Sequence, residues 1–568
     1  MSRNGAPHLS LASLTSHGGA VVGALLAGGS LLVYFQLVWT ASVDVPFLDD
    51  YDALLGFLTH WLDAESGRAR WRLLLRPHNE HVLGVPHAWV LLSQGVTGRL
   101  DLRLLNLIGN GYLLVLLVAL HATFRREADA AARLAAFAPA VLFVLQPQAW
   151  SALLSPTISL SNAGVVALAA VTFAALERDT RGAGALAAAA ALGAALSQAN
   201  GLLVWAIAPV VVLLRGSLRD ALPWGAAAVL LLGVFVFGLD PGAQRASPFT
   251  SLDRPDRLLV YLLNFLGAAA GFSRPGVSLA AGAALLASFA ALVWRGLPRR
   301  SPALFGLFLF LLGSIVANAL VRAHQGAGAP LLQPRYAFYS AVLLALTHLG
   351  WAELLAGRPA GRRWQAGALA VGLAFCVASH ALFRDEVWAL SQRLSTGLEH
   401  WWTTGEGGLI HPDFRKASFF MLKGIDQGVI RLPAEWEERF VAKPVRREPP
   451  PASSVVSQHL HALRQDEDLL IVSGWAVAGT SALRQEVEVV LASQGGALFF
   501  PAQEVLRVDL PQHSERLARR LAPSGFRVLI STDDLEAGDY RLGVLVRKGE
   551  TEHLSWQREP VRIENVAP

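Results

Sequence analysis

Asp49-Asp50-Tyr51-Asp52 sets three carboxylates within four residues, and His78-Asn79-Glu80-His81 follows in the same polar stretch. Residues 1–383 hold 17 Asp and Glu, and eight of them lie between Asp44 and Asp101. None of those eight falls inside an apolar run. A carboxylate can take the proton from a hydroxyl while that oxygen attacks an electrophilic carbon. Neighbouring carboxylates repel, so such a pair holds a proton more tightly than either would alone. Asp50 and Asp49 are therefore the candidate general bases, with Glu80 as a second active-site carboxylate. Asp52 is a candidate for substrate contact, or else caps a helix opening near Asp50. The competing reading is capping alone, because a helix dipole favours acids at an N-terminus.

His78 and His81 have the side chains of a metal site without its spacing. On a helix they would stand three apart, whereas zinc pairs are four apart with a distant third ligand. No zinc site is expected, and both histidines are assigned to substrate contact or to ordinary surface hydrogen bonds. Several carboxylates could hold Mg²⁺ or Mn²⁺ through oxygen, or the loop could work without a metal. A cationic counterpart lies between Arg322 and Tyr336, where Arg322, His324, Arg335 and Tyr336 cluster. A guanidinium there could bind phosphate oxygens in pairs, or snorkel at a membrane interface. Polar residues at 155–162 and 197–201 could contact sugar hydroxyls, or serve only as small residues at helix turns.

These residues must be positioned by a membrane protein. The 568 residues are 53% hydrophobic and 16% charged, well under the quarter expected of a soluble domain. Apolar runs centre on 18–40, 102–124, 134–150, 162–177, 183–198, 201–214, 221–239, 277–294, 302–321, 336–355 and 365–383. The first is longer than a signal-peptide core and is read as a retained helix. With the N-terminus inside, the inner loops carry Arg125, Arg126 and Arg133, then Arg178 and Arg181, then Arg215 and Arg219. Arg295, Arg299 and Arg300 follow, and then Arg358, Arg362 and Arg363, whereas 151–161 and 197–201 have no basic residue. This alternation fits eleven crossings and puts the C-terminal domain outside the cytoplasm. The short runs 82–96 and 258–272 are read as helices on or dipping into the outer surface, leaving outer loops 41–101 and 240–276. The reading with both as crossings would shift the topology.

Residues 384–442 form a helical connector, on which Trp388, Leu390, Leu394, Leu398, Trp401 and Trp402 make a packing face. A Pro-rich linker spans 443–454, and residues 455–568 alternate in short runs as a β-sandwich does. The fold class is thus an α-helical polytopic membrane domain over 1–383 with a C-terminal all-β sandwich. Residues 1–383 carry 26 Lys and Arg against 17 acids, and 384–568 carry 22 against 26. The basic excess sits in membrane-flanking loops, so no nucleic-acid partner is implied. The single Cys376 excludes an intrachain disulfide and a Cys-based metal site.

Paired acids soon after the first helix, a further acid late in that loop, surface helices between them and about eleven crossings resemble the GT-C superfamily of polytopic glycosyltransferases. That resemblance covers roughly 1–383. It implies transfer of a sugar from a polyprenyl-phosphate or polyprenyl-diphosphate donor to a glycan or lipid-linked acceptor. The implied site faces the periplasm of a bacterial inner membrane, with membrane lipids as neighbours. Ser473-Gly474-Trp475-Ala476, Arg507-Val508-Asp509 and Gly525-Phe526 resemble an accessory domain of bacterial glycosyltransferases. Trp475 and Phe526 are expected to pack its core. A transporter or flippase of lipid-linked glycans is the alternative, and it would carry polar groups along a path through its spans. Here charge is expected at the surfaces. A non-catalytic assembly protein would need neither the acidic loop nor eleven crossings. With Cys376 replaced, a cysteine at position 455 is expected to react with an impermeant thiol reagent from the outer side only; labelling from the cytoplasm alone would reverse the orientation.

Overall fold

The computed structural model describes residues 11–79, 81–124, 130–178, 180–238, 251–404, 407–432, 442–466, 469–482, 485–505, 521 and 524–563. Glu80, Arg125, Arg126, Arg507-Val508-Asp509 and the first part of the 240–276 loop lie outside the described residues.

Helix α1 covers Leu11–Ala41, and a π-helical turn at Tyr51–Gly56 runs into α2 (Phe57–Asp63). After α3 (Gly67–Leu74), strands β1 (Pro77–His78) and β2 (His81–Val82) form a small hairpin before α4 (Gly84–Thr97). Helices α5 (Leu102–Thr123) and α6 (Ala130–Val144) precede two short helices, α7 (Trp150–Leu153) and α8 (Pro156–Ile158). A second π-helical turn, Ser159–Ala163, opens α9 (Gly164–Leu176). Then come α10 (Arg181–Ala195), α11 (Leu202–Leu214), α12 (Leu218–Gly238) and α13 (Pro255–Gly267). Helices α14 (Pro275–Trp294), α15 (Leu297–Arg300), α16 (Pro302–Arg322) and α17 (Tyr336–Leu355) follow. The 46-residue α18 (Pro359–Thr404) and α19 (Phe414–Asp426) end the helical part.

Each of the eleven apolar runs is helical, and among the described residues eight helices are long and apolar enough to cross a membrane. Length separates four others from these. At 1.5 Å per residue, the 13 residues of α13 and 14 of α4 reach only about 20 Å, short of the ~30 Å hydrocarbon thickness. The same holds for α10 and α11, with 15 and 13 residues, although their sequences read as crossings. The chain divides into two compact units. The first comprises Met1–Pro46, Ala64–Ser93 and Asp101–Arg393; the second comprises Phe47–Asp63, Gln94–Leu100 and Leu394–Pro568.

In the first unit α1 packs on α6, α5 on α9, α9 on α10, and α13 on α14. Asp44 and Asp101 jointly start α5: Leu102 N donates to Asp44 Oδ1 at 2.8 Å and Leu104 N to Asp101 Oδ1 at 2.9 Å. These orphan donors of a first turn need acceptors, so two loop acids serve as caps. At Gly109 any Cβ would lie 2.0 Å from Ser159 Oγ, so glycine lets α5 lie directly against the second π-helical turn. Glu353, in the last turn of α17, is buried at 2% exposure.

The second unit joins an early segment to late ones. α19 packs on the first π-helical turn, where Phe420 lies so close to Gly56 that a Cβ there would meet it at 2.9 Å. Leu48 N donates to Ile410 O at 2.9 Å, and Leu100 N to Val429 O at 2.8 Å. Leu394, Leu398, Trp401 and Trp402 of α18 are buried, as their spacing predicts. Strands β3 (Val445–Arg446), β4 (Val456–Asp466), β5 (Leu469–Ala478), β6 (Gln485–Ser493) and β7 (Gly496–Pro501) begin the β-domain. It continues through β8 (Gln503–Val505), β9 (Gly525–Ser531), β10 (Gly538–Lys548) and β11 (Thr551–Ile563). They form two antiparallel sheets, β11-β10-β6-β7-β3 and β4-β5-β9-β8.

Alternation on β5 and β9 sends Leu470, Val472, Ala476, Phe526, Val528 and Ile530 into the core with Phe500 and Leu542. Phe526 is thus a core residue. Trp475 is not, because its odd position in β5 puts it with Ser473 on the opposite face, away from that core. There Ser473 Oγ donates to the Asp426 carboxylate at 3.4 Å, and the Arg527 guanidinium lies 4.5 Å from the Trp402 ring centre. The Pro-rich stretch is strapped to a sheet edge by β3, and Arg447 bridges Glu488 and Glu552. Arg547 also contacts Glu552 at 2.9 Å, and these partners hold the Glu552 carboxyl below the ordinary value, the Arg547 hydrogen bond most strongly. A surface network of this kind contributes little, whereas Phe500 has no exposure. Phe500→Ala is expected to cost about 3–5 kcal/mol and Glu552→Gln at most about 1, read as the temperature at which residues after 442 become protease-sensitive.

Candidate functional site

Two groups of candidate side chains emerge, one in each unit. In the second unit the acidic turn begins at Leu48, whose φ of 50° is left-handed and unfavourable for a leucine. That kink closes a tight loop in which Asp50 N donates to Phe47 O at 3.1 Å and Phe47 N donates back to Asp50 Oδ2 at 3.0 Å. Asp50 has no exposure at all. From here Tyr51–Gly56 winds as a π-helix, a form that recurs at functional sites.

The three acids of this turn have different surroundings. Asp52 is met by two basic side chains, Lys416 Nζ at 2.8 Å and His411 Nε2 at 3.3 Å. This pairing ties the turn to the start of α19 and the segment before it. The Tyr51 ring meets His411 edge-on at 5.7 Å, and among the described residues its buried hydroxyl has no hydrogen-bond partner. Burial, then the Asp50 charge, raises the Tyr51 hydroxyl well above the ordinary phenol value, so it stays a proton donor. Asp49 is half-buried, and among the described residues its carboxylate meets no donor or cation. Elsewhere in the loop Asp63 bonds Lys423 and Gln427, and Glu65 is exposed. Asp49 is therefore the shielded carboxylate of the loop left with free acceptor capacity, among the described residues. No group of three or more His, Cys, Asp or Glu converges as a metal site among them either.

In the first unit His78 and His81 face each other across the β1–β2 hairpin, with Asn79 at the left-handed φ of 52° that a tight turn requires. They are not on a helix, so the spacing argument about i and i+3 does not apply. His81 Nδ1 accepts from Ala199 N at 3.3 Å, which leaves its proton on Nε2 and positions the 197–201 turn. Next to that turn, Gln198 Nε2 donates to Asn162 Oδ1 at 3.1 Å, and Tyr339 OH donates to the same oxygen at 3.2 Å. Asn200 Nδ2 reaches Ser314 Oγ at 3.0 Å and Tyr339 OH at 3.3 Å, while its Oδ1 is buried with no hydrogen-bond partner among the described residues. Asn162 rides on the second π-helical turn. The result is a neutral amide–phenol cluster joining the 155–162 and 197–201 spots.

A cationic cluster completes this unit. Arg322 donates to Tyr336 OH at 3.3 Å, as does Asn318 Nδ2 at 3.2 Å, and Tyr261 OH donates to Asn318 Oδ1 at 2.7 Å. Tyr336 is stacked by Phe265 at 4.5 Å, and Arg335 lies 5.5 Å from its ring centre. Burial raises the Tyr261 hydroxyl most, nearby Tyr336 adds to it, and Arg322 and Arg335 oppose it. Arg335 itself has no carboxylate or hydrogen-bond partner among the described residues. His324 is exposed, and only its backbone is engaged, donating to Ser251 Oγ at 3.2 Å. Tyr339, Asn318 and Tyr261 were missed from sequence; Tyr336 and Tyr339, three apart on one helix, were the available signal.

No family model, no curated protein and no solved structure matches this chain. Removing the charge that holds the acidic turn to α19 tests its geometry: Asp52→Asn is expected to destabilise by about 1 kcal/mol, and Lys416→Met, with its half-exposed ammonium, by less. Thermal melts of the full chain, with proteolysis at 407–426, read both; no shift for either would remove the tie from the account.

Proposed function

We propose that the chain is an integral-membrane glycosyltransferase of the GT-C type. In this reading its long apolar helices cross a bacterial inner membrane, its C-terminal unit is periplasmic, and its donor sugar is carried on polyprenyl phosphate or diphosphate. The observation that carries the reading is the acidic turn. A half-buried Asp49 with free acceptor capacity sits on a kinked π-helical segment beside a wholly buried Asp50, while the other described acids are exposed or already engaged.

The chemistry follows from that division. Asp49 takes the proton of an acceptor hydroxyl as its oxygen bonds to the anomeric carbon, and the bond from that carbon to the carrier phosphate breaks. Phosphate is a good leaving group and needs positive charge more than an acid. In the first unit, Arg335, without an ion-pair partner among the described residues, and Arg322, turned to Tyr336, are groups of the kind that bind phosphate oxygens. Asp50 acts on the reaction through the turn: its carboxylate accepts from Phe47 N and fixes where Asp49 points. The amides of Asn162, Gln198 and Asn200 with Tyr339 offer neutral donors and acceptors of the kind sugar hydroxyls pair with. Among the described residues, the buried carboxylate that the transporter reading gains in a long apolar helix is Glu353, in the last turn of α17.

Sugar transfer from a polyprenyl-linked donor separates the two acids. Asp49→Asn is expected to lower turnover by about 10²–10⁴-fold, the range for loss of a general base. Asp50→Asn keeps a carbonyl to accept from Phe47 N and is expected to lose far less. Normal turnover in the double variant would remove the carboxylates from the mechanism.

A further inference from the structure

Helix α3 has a composition that neither the transferase reading nor the topology uses. Gly67–Leu74 carries Arg68, Arg70 and Arg72, and Arg76 follows directly; no acid occurs between Glu65 and Glu80. None of its residues is buried. Trp71 is 66% exposed and Leu75 44%, although large apolar side chains are normally hidden. Spacing puts these groups together. Arg68 and Arg72 are one turn apart, as are Trp71 and Leu75, while Arg68–Trp71 and Arg72–Leu75 are three apart, so the four make one contiguous face. The guanidinium groups of Arg68, Arg72 and Arg76 have no ion-pair or hydrogen-bond partner among the described residues.

The helix is nonetheless built to persist. Ser66 Oγ accepts from Ala69 N at 3.2 Å at its start, and at its end His87 Nδ1 bonds to Leu74 O at 3.2 Å. His87 belongs to α4 and is 3% exposed, so α3 is pinned at its C-terminus while its surface stays open. These arginines lie in the long loop between the spans α1 and α5, where basic residues do not set orientation. Uncompensated positive charge beside an exposed tryptophan and leucine complements one kind of surface: anionic headgroups above an apolar layer.

We propose that α3 is an interfacial anchor that binds anionic phospholipid, with Arg68, Arg72 and Arg76 on the headgroup phosphates and Trp71 and Leu75 at the acyl boundary. The full-length chain tests this with Cys376→Ser and Leu75→Cys carrying a nitroxide, placed in nanodiscs of phosphatidylcholine alone or mixed equally with phosphatidylglycerol. In the anionic discs the label is expected to collide with oxygen and to be shielded from a water-soluble nickel chelate; in the neutral discs it meets the nickel chelate. Arg68→Gln, Arg72→Gln and Arg76→Gln should each lower the immersed-to-free ratio by roughly fivefold, and the matching lysine variants should retain it. Raised salt should act like the glutamine changes. Equal accessibility in both lipids, or a response only to added dextran sulfate, would overturn the proposal and in the latter case assign the face to a soluble polyanion. No outcome depends on sugar transfer, so the test stands apart from the function proposed above.

Discussion

Asp52 meets two basic side chains at once, and the arrangement of the acidic turn depends on that contact. Its carboxylate meets Lys416 and His411, residues far along the chain that flank the start of α19. With this end held, and with Leu48 bonded to Ile410, the backbone between them has little freedom. It accepts a left-handed leucine and a π-helical turn, conformations that cost free energy and persist only when their surroundings impose them. The outcome is a division of labour among neighbouring acids: one held by basic side chains, one sealed against its own backbone, one left open.

The same unit explains why the β-sandwich is attached. Its four-stranded sheet turns Ser473 and Arg527 outward to Asp426 of α19 and Trp402 of α18. α19 in turn carries Phe420 against Gly56 of the acidic segment. The sandwich therefore braces the helix that braces the turn. A buried arginine on an aromatic face and a hydroxyl on a carboxylate are contacts of position, and they suit a domain that gives mechanical support.

In the helical unit, polar groups gather in two clusters. Asn162, Gln198, Asn200 and Tyr339 bond to one another without a formal charge, whereas Arg322 and Arg335 gather with Asn318 around Tyr336. The cost of leaving an amide or phenol unpaired in an apolar helical bundle explains why such groups cluster. The second π-helical turn serves this purpose by carrying Asn162, and His81 serves it by holding Ala199.

Much of this was legible in the residues alone. Runs of apolar residues determine helices in any context, so all eleven emerged as helices, and alternating short runs separated by turn signals emerged as strands. The density of acids between Asp44 and Asp101 singled out the stretch that contains the kinked π-helical turn. What each acid does was not legible. Asp44 and Asp101 became caps of α5, Asp52 and Asp63 became ion-pair partners, and Asp50 was sealed away, each through partners that sequence distance hides. Composition and periodicity are local properties and set the elements. Which carboxylate keeps free acceptor capacity, and whether Trp475 or Phe526 faces the core, are decided by long-range packing, since only the assembled chain brings a donor within 3 Å or removes a face from water.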